Sequence, residues 1–146
     1  MDSIPQYLTA KHRECDDYFT EAESAVATED WALALQKFNV FKNELLIHLD
    51  AEEKILFPEF EQATGMVSGP TQVMRMEHEQ MRALLHDLLA SLTNKQKNDF
   101  LGYADTLMVL IQQHNMKEEM MLYPMAEQHI PSQASLLSTI KEHCSA

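Results

Sequence analysis

Two stretches decide the fold: His48-Leu49-Asp50-Ala51-Glu52-Glu53-Lys54-Ile55-Leu56-Phe57-Pro58 and His114-Asn115-Met116-Lys117-Glu118-Glu119-Met120-Met121-Leu122-Tyr123-Pro124. They are the same pattern written twice, 66 residues apart, and the offset extends outward. His12 corresponds to His78, His48 to His114, Glu52 to Glu118, Glu53 to Glu119, and Pro58 to Pro124. Such a repeat is one helical pair that cannot bury its apolar face alone, so two copies packing into one pseudo-two-fold core is the expected outcome.

Periodicity places the pairs on helices. Leu8, His12, Cys15, Phe19 and Ala22 fall on one stripe of a helix from about 7 to 25. Thr28 is the expected N-cap of a second helix over about 29–61, with Phe38, Phe41, Leu45, His48, Glu52 and Ile55 on its stripe. Pro58 is expected to kink or end it. The breaker-rich stretch 63–70 separates the halves, and Pro70 suits the first turn of a third helix over about 70–91 carrying Met74, His78, Met81, Leu85 and Leu88. Thr93 and Gln96 read as a capping box for a fourth helix reaching about 127, with Ala104, Leu107, Ile111, His114, Glu118 and Met121 inward. After Pro131, a short helix over about 132–143 should lay Leu136, Leu137 and Ile140 over one end. The expected fold is therefore all-α. It is an antiparallel up-down four-helix bundle with repeat units at about 7–61 and 73–127 and a short C-terminal helix, all in one domain, 1–146.

Composition agrees. The 146 residues suit one domain, 45% are hydrophobic and 23% charged, and three glycines disfavour a turn-rich β architecture. The ten methionines read mainly as fillers of irregular core gaps. A net charge of −12 repels a phosphate backbone and anionic lipid, so neither nucleic acid nor membrane is an expected partner. No run of apolar residues is long enough for a span, and no basic, apolar leader opens the sequence, so the expected location is cytoplasmic. Cys15 and Cys144 form no disulfide framework or CxxC pair.

The seam of such a bundle should be apolar, yet four imidazoles and two carboxylates interrupt it at matched heights. His48 and Glu52, like His114 and Glu118, are one turn apart on one face. A lone seam histidine is most often a hydrogen-bonded core residue, and a lone HxxxE is often a solvent-side pair. Their joint repetition at one offset reads instead as a metal site, because unpaired buried carboxylates cost several kcal/mol. His12, His48, His78 and His114 are the expected terminal ligands and Glu52 and Glu118 the bridges of two metal ions. Each metal would take one histidine from His12 or His78 and one from His48 or His114, in either combination. Imidazole and carboxylate suit divalent iron, and manganese fits nearly as well. With an oxo or hydroxo bridge, each ion keeps one open position. His86, His129 and His143 lie outside the pattern and read as solvent-facing. Glu53 and Glu119 point about 100° away from the seam and read either as surface or as partners of the ligands. Cys15, matched by Met81, reads as packing.

These residues resemble the hemerythrin-like, or HHE cation-binding, domains. The matching stretches are Lys11-His12-Arg13-Glu14, the segment 48–58, Met76-Glu77-His78-Glu79 and the segment 114–124, spanning about residues 7–127. The resemblance implies a di-iron centre, and a fork within the family implies its type. Oxygen carriers have an HxxxH pair on the third helix and an aspartate five residues after the fourth-helix histidine. Here Arg82 follows His78, and Glu118 lies four residues after His114. Both features resemble the four-histidine, two-glutamate di-iron proteins of nitrosative stress and iron–sulfur cluster repair, though no paired-cysteine segment precedes the bundle in this sequence. The expected function is a non-haem di-iron protein that binds O2 or NO and reduces or senses it, with an unidentified redox partner. Iron donation or cluster repair, and metal storage, are the alternatives.

Overall fold

The computed structural model describes residues 2–145. Helix α1 (Ile4–Ala27) begins at a capping box, in which Gln6 N–H donates to Ser3 Oγ and Ser3 N–H to Gln6 Oε1. That Ser-Ile-Pro-Gln signal starts the helix earlier than periodicity alone suggests. Helix α2 (Trp31–Ala51) is capped by Asp30, whose carboxylate accepts from Leu33 N–H. Thr28 is not the N-cap: it closes α1, donating its hydroxyl back to Ser24 and Ala25 carbonyls. Between the two helices Glu29 takes a positive φ of 59°, which moves the start of α2 two residues on.

Neither long rod ends at its proline. α2 passes through a π-helical turn, Glu52–Leu56, into α3 (Phe57–Thr64). After the connection, α4 (Pro70–Thr93) and α5 (Lys97–Lys117) follow, and α5 passes through a second π turn, Glu118–Leu122, into α6 (Tyr123–His129). In each turn the next N–H, Phe57 or Tyr123, reaches the carbonyl five residues back, Glu52 or Glu118. Pro58 has no N–H to continue that ladder, and Arg75 Nη1 donates to the Glu53 carbonyl at 3.2 Å, the oxygen the π register leaves over. The Thr93–Gln96 capping box does not form. Thr93 is the last residue of α4, Lys95 has a φ of 55°, and Gln96 sits at the N-cap without a side-chain bond. Lys95 thus repeats Glu29 in backbone as well as position. Helix α7 (Gln133–Ser145) completes the chain.

α1 packs along α2 and α5, and α4 along α5 and α2, so the order around the bundle is α1, α2, α4, α5 with neighbours antiparallel. The core has two lobes. One is built on Phe19, Phe38, Phe41, Leu88, Phe100 and Leu107. The other gathers Ile4, Leu8, Phe57, Phe60 and Tyr123, with Leu136 and Ile140 of α7 closing that end and Leu137 half-buried beside them. Along each of the four helices the lobes meet at the interrupting histidines and glutamates. The π turns also shift the inner face. Leu56, Phe57, Leu122 and Tyr123 are buried, whereas Ile55 is half-buried and Met121 is 48% exposed. Among the described methionines the core takes fewer than the sequence suggests, with Met108 and Met125 half-buried against it. Met74 and Met81 are buried in it, but Met66, Met76, Met116, Met120 and Met121 are exposed. Among the described residues no helix is long and apolar enough to cross a membrane.

Candidate metal centre

All six predicted side chains converge. His12, His48, His78, His114, Glu52 and Glu118 are each no more than 4% exposed. They form two overlapping sets whose potential donor atoms lie within 4.8 Å of one another: His12, His48, Glu52 and Glu118, and His78, His114, Glu52 and Glu118. This resolves the pairing that the sequence leaves open, since each repeat contributes both histidines of one set and the two glutamates are shared. The rings within each set face one another, with centroids 4.8 Å apart for His12 and His48 and 4.9 Å for His78 and His114.

The carboxylates span the sets. Glu52 turns Oε2 toward His48 Nε2 (3.4 Å) and Oε1 toward His78 Nε2 (3.2 Å). Glu118 Oε1 lies 3.2 Å from His12 Nε2 and 3.3 Å from His114 Nε2. Among the described residues Glu52 Oε1 and Glu118 Oε2 meet no hydrogen-bond donor, although both are fully buried. Buried carboxylate oxygens left this way cost several kcal/mol unless a cation meets them. Two metal ions of a di-iron or similar kind fit this donor set: hard carboxylate oxygens and imidazole nitrogens, shared across two adjacent positions.

The histidines are aimed from outside. Glu119 accepts from His12 Nδ1 at 2.7 Å, Glu53 from His78 Nδ1 at 2.6 Å and Glu77 from His114 Nδ1 at 2.8 Å. A proton held on Nδ1 leaves the Nε2 lone pair facing the centre. Each of these carboxylates is held in turn by a cation: Arg13 on Glu119, Arg82 on Glu53 and Lys117 on Glu77. Glu53 and Glu119, of the two readings left open, are thus partners of the histidines rather than free surface. Glu77 was not singled out because its repeat counterpart is Lys11. Accordingly His48 Nδ1, which would need the corresponding partner, has no hydrogen bond among the described residues.

Tyr123 is the other residue that sequence reasoning missed. Fully buried, it donates its hydroxyl to Glu52 Oε2 at 2.5 Å, with Glu118 Oε1 at 3.0 Å, His12 Nε2 at 3.1 Å and His48 Nε2 at 3.5 Å. Five residues of α-helix would turn Tyr123 about 140° away from Glu118, and the π turn brings it back. Its repeat counterpart Phe57 stacks on His78 at 5.6 Å, so the phenol breaks the two-fold relation. Without metal, burial and the two glutamates hold the Tyr123 hydroxyl well above its usual range. Burial opposes the charge on Glu52, but His48 and His78 outweigh it and lower the carboxyl well below its normal value. Burial likewise lowers His114, yet Glu118, Glu52 and Glu77 carry it up to about 9.

The remaining polar residues stay outside. His86 and His129 are exposed, and His143 is half-buried against Asp50 at 2.9 Å. Cys15 borders the site, and burial pushes its thiol up to about 12, which fits a packing role. On that side Cys15, Leu45, Met81 and Ile111 line a cavity of about 10 Å³ against His12, His48 and His114.

The profile described as Hemerythrin HHE cation binding domain matches residues 3–126. A protein named as an uncharacterized hemerythrin-like protein of Schizosaccharomyces pombe is 27% identical over 137 residues, covering 93% of this chain. The chain spans 65% of that relative's length. No solved structure matches.

Proposed function

Because the chain belongs to the hemerythrin HHE cation-binding family, we propose that it is a non-haem di-iron protein that binds O2 or NO and reduces or senses it. One observation carries this reading: two four-donor sets share Glu52 and Glu118 in a buried centre. In it His12 and His48 would hold one metal, His78 and His114 the other, and the two glutamates would bridge them. Two adjacent irons supply redox chemistry and positions at which a diatomic molecule can bind.

The protein's own groups prepare that chemistry. Glu53, Glu77 and Glu119 fix three imidazoles in the donor tautomer. The lobe of Phe19, Phe38, Phe41 and Phe100 keeps water from one side. The cavity of about 10 Å³ beside the histidines has room for one water-sized molecule, and its Leu45, Met81 and Ile111 walls favour an apolar diatomic over an ion. Arg82, half-buried, stands where the carriers have a further histidine, and it is committed to Glu53 and Glu79.

Protein produced with adequate iron should contain two irons per chain. Rapid mixing of the reduced protein with O2 or NO should give spectral changes that saturate with the gas. Protein that retains no iron, or whose reduced centre is inert to both gases, overturns the reading.

A further inference from the structure

Among the described residues Tyr123 is the one hydroxyl in contact with the centre, and its contacts are one-sided. Its oxygen lies 2.5–3.5 Å from Glu52 Oε2, Glu118 Oε1, His12 Nε2 and His48 Nε2, the four donors of a single set. In an octahedral sphere with bonds of about 2.1 Å, neighbouring donors lie about 3.0 Å apart. The hydroxyl lies within about 0.5 Å of that spacing from every donor of the His12–His48 position. The other position has no such group, because Phe57 occupies the corresponding place and only stacks on His78. All four contacts are of hydrogen-bond length, and what sets the placement apart is that one oxygen meets every donor of one set. A phenol donates one proton, and Glu52 takes it at 2.5 Å. The two imidazole nitrogens at 3.1 and 3.5 Å face the oxygen because all converge on one point.

We propose that Tyr123 is a further protein donor to the metal held by His12 and His48, so that the two metals are inequivalent and exogenous ligands bind at the His78–His114 metal, reached from the small cavity through its His114 wall. The proposal rests on the di-iron reading above. The bond forms from a lone pair of the phenol oxygen, the hydroxyl proton leaves to solvent, and no electron is transferred. A hard anionic oxygen suits ferric iron better than ferrous, so Tyr123 favours the oxidised state of its own metal. It also narrows the expectation from ligand count that both metals keep an exchangeable position. Tyr123 fills that position on one of them, and Phe57 leaves it free on the other.

The test is resonance Raman spectroscopy of the diferric full-length protein. Expected are phenolate ring and C–O modes enhanced in a visible charge-transfer band, shifting when the protein is grown on ring-deuterated tyrosine. Tyr123→Phe should retain two irons and lose these modes, and its azide stoichiometry should rise from one to two per chain. The double variant Phe57→Tyr with Tyr123→Phe should restore them by placing the phenol on the other metal. Protein with two irons and no phenolate modes overturns the Tyr123 proposal while leaving the di-iron reading intact; protein without iron overturns both. The isotope shift in the unaltered protein keeps the test decisive should Tyr123→Phe fold poorly.

Discussion

Three histidines of the centre are held by carboxylates that are themselves held by cations, and the fourth is not. Glu77 links His114 to Lys117, Glu53 links His78 to Arg82, and Glu119 links His12 to Arg13. Removing such a partner typically lowers metal affinity 10- to 100-fold. Glu77→Gln is therefore expected to weaken iron retention by about one to two orders of magnitude while leaving the helical content unchanged. Competition with a chromophoric chelator, alongside circular dichroism, measures both. Retention equal to that of the parent would show that the His114 ring is fixed by packing alone. At this scale the sequence was legible where the repeat is faithful. His12, His48, Glu52, His78, His114 and Glu118 announce themselves by the offset of 66, and Glu53 and Glu119 were visible as neighbours. Glu77 and Tyr123 do not announce themselves, because their counterparts Lys11 and Phe57 carry different chemistry and a repeat signals only the positions at which its copies agree.

The rods show why helix boundaries were harder to read than helices. Straight α periodicity through residues 52–56 and 118–122 points Ile55 and Met121 inward, where the π turns bury Phe57 and Tyr123 instead. Nothing in Glu-Glu-Lys-Ile-Leu marks a π turn except the proline two residues on, whose missing N–H makes a wider turn less costly than it would be elsewhere. Thr28 and Thr93 misled in the same manner. Both are good N-caps by residue type, but a left-handed residue follows in each connection and moves the next helix onward. The first π turn depends on Arg75, which donates to the Glu53 carbonyl and pairs with Glu61 at 3.4 Å. Arg75→Met should lower unfolding stability by about 1–3 kcal/mol, through the carbonyl left without a donor. Urea denaturation of both proteins under identical metal loading reads this out, and an unchanged midpoint would mean that water replaces the guanidinium without loss.

For the molecule as a whole, the centre couples folding to protons and to metal. With no metal bound, His114 gains a proton on folding, its value rising from an ordinary 6.5 to about 9. A group raised in the folded state stabilises fully below its unfolded value and ceases to do so above its folded one. The metal-free protein should thus lose stability between about pH 6.5 and about pH 9, by up to about 3 kcal/mol. His12 is raised as well: burial lowers it, but Glu118, Glu52 and Glu119 outweigh that, so it acts in the same direction. Glu52, lowered in the folded state, stabilises above its unfolded value and withdraws support only in acid. The metal-loaded protein should show a flatter profile, since cations replace these protons. Thermal midpoints of both forms across this range test it, and parallel curves would mean that the imidazoles are not charged in the empty bundle. The bundle's topology was fully legible because offset, stripe and breaker-rich connection agree.

The burial of the six side chains also bears on kinetics. Their donor atoms have almost no contact with solvent, and a core lobe seals each end of the centre. A chelator cannot reach a bound ion until the helices part, so release should be governed by the opening rate of the protein. The rate of iron loss should then rise with chelator concentration only to an early plateau, and that plateau should climb steeply with temperature in parallel with amide exchange in α1 and α4. A metal ion held this way would leave on the clock of the fold rather than of the solvent.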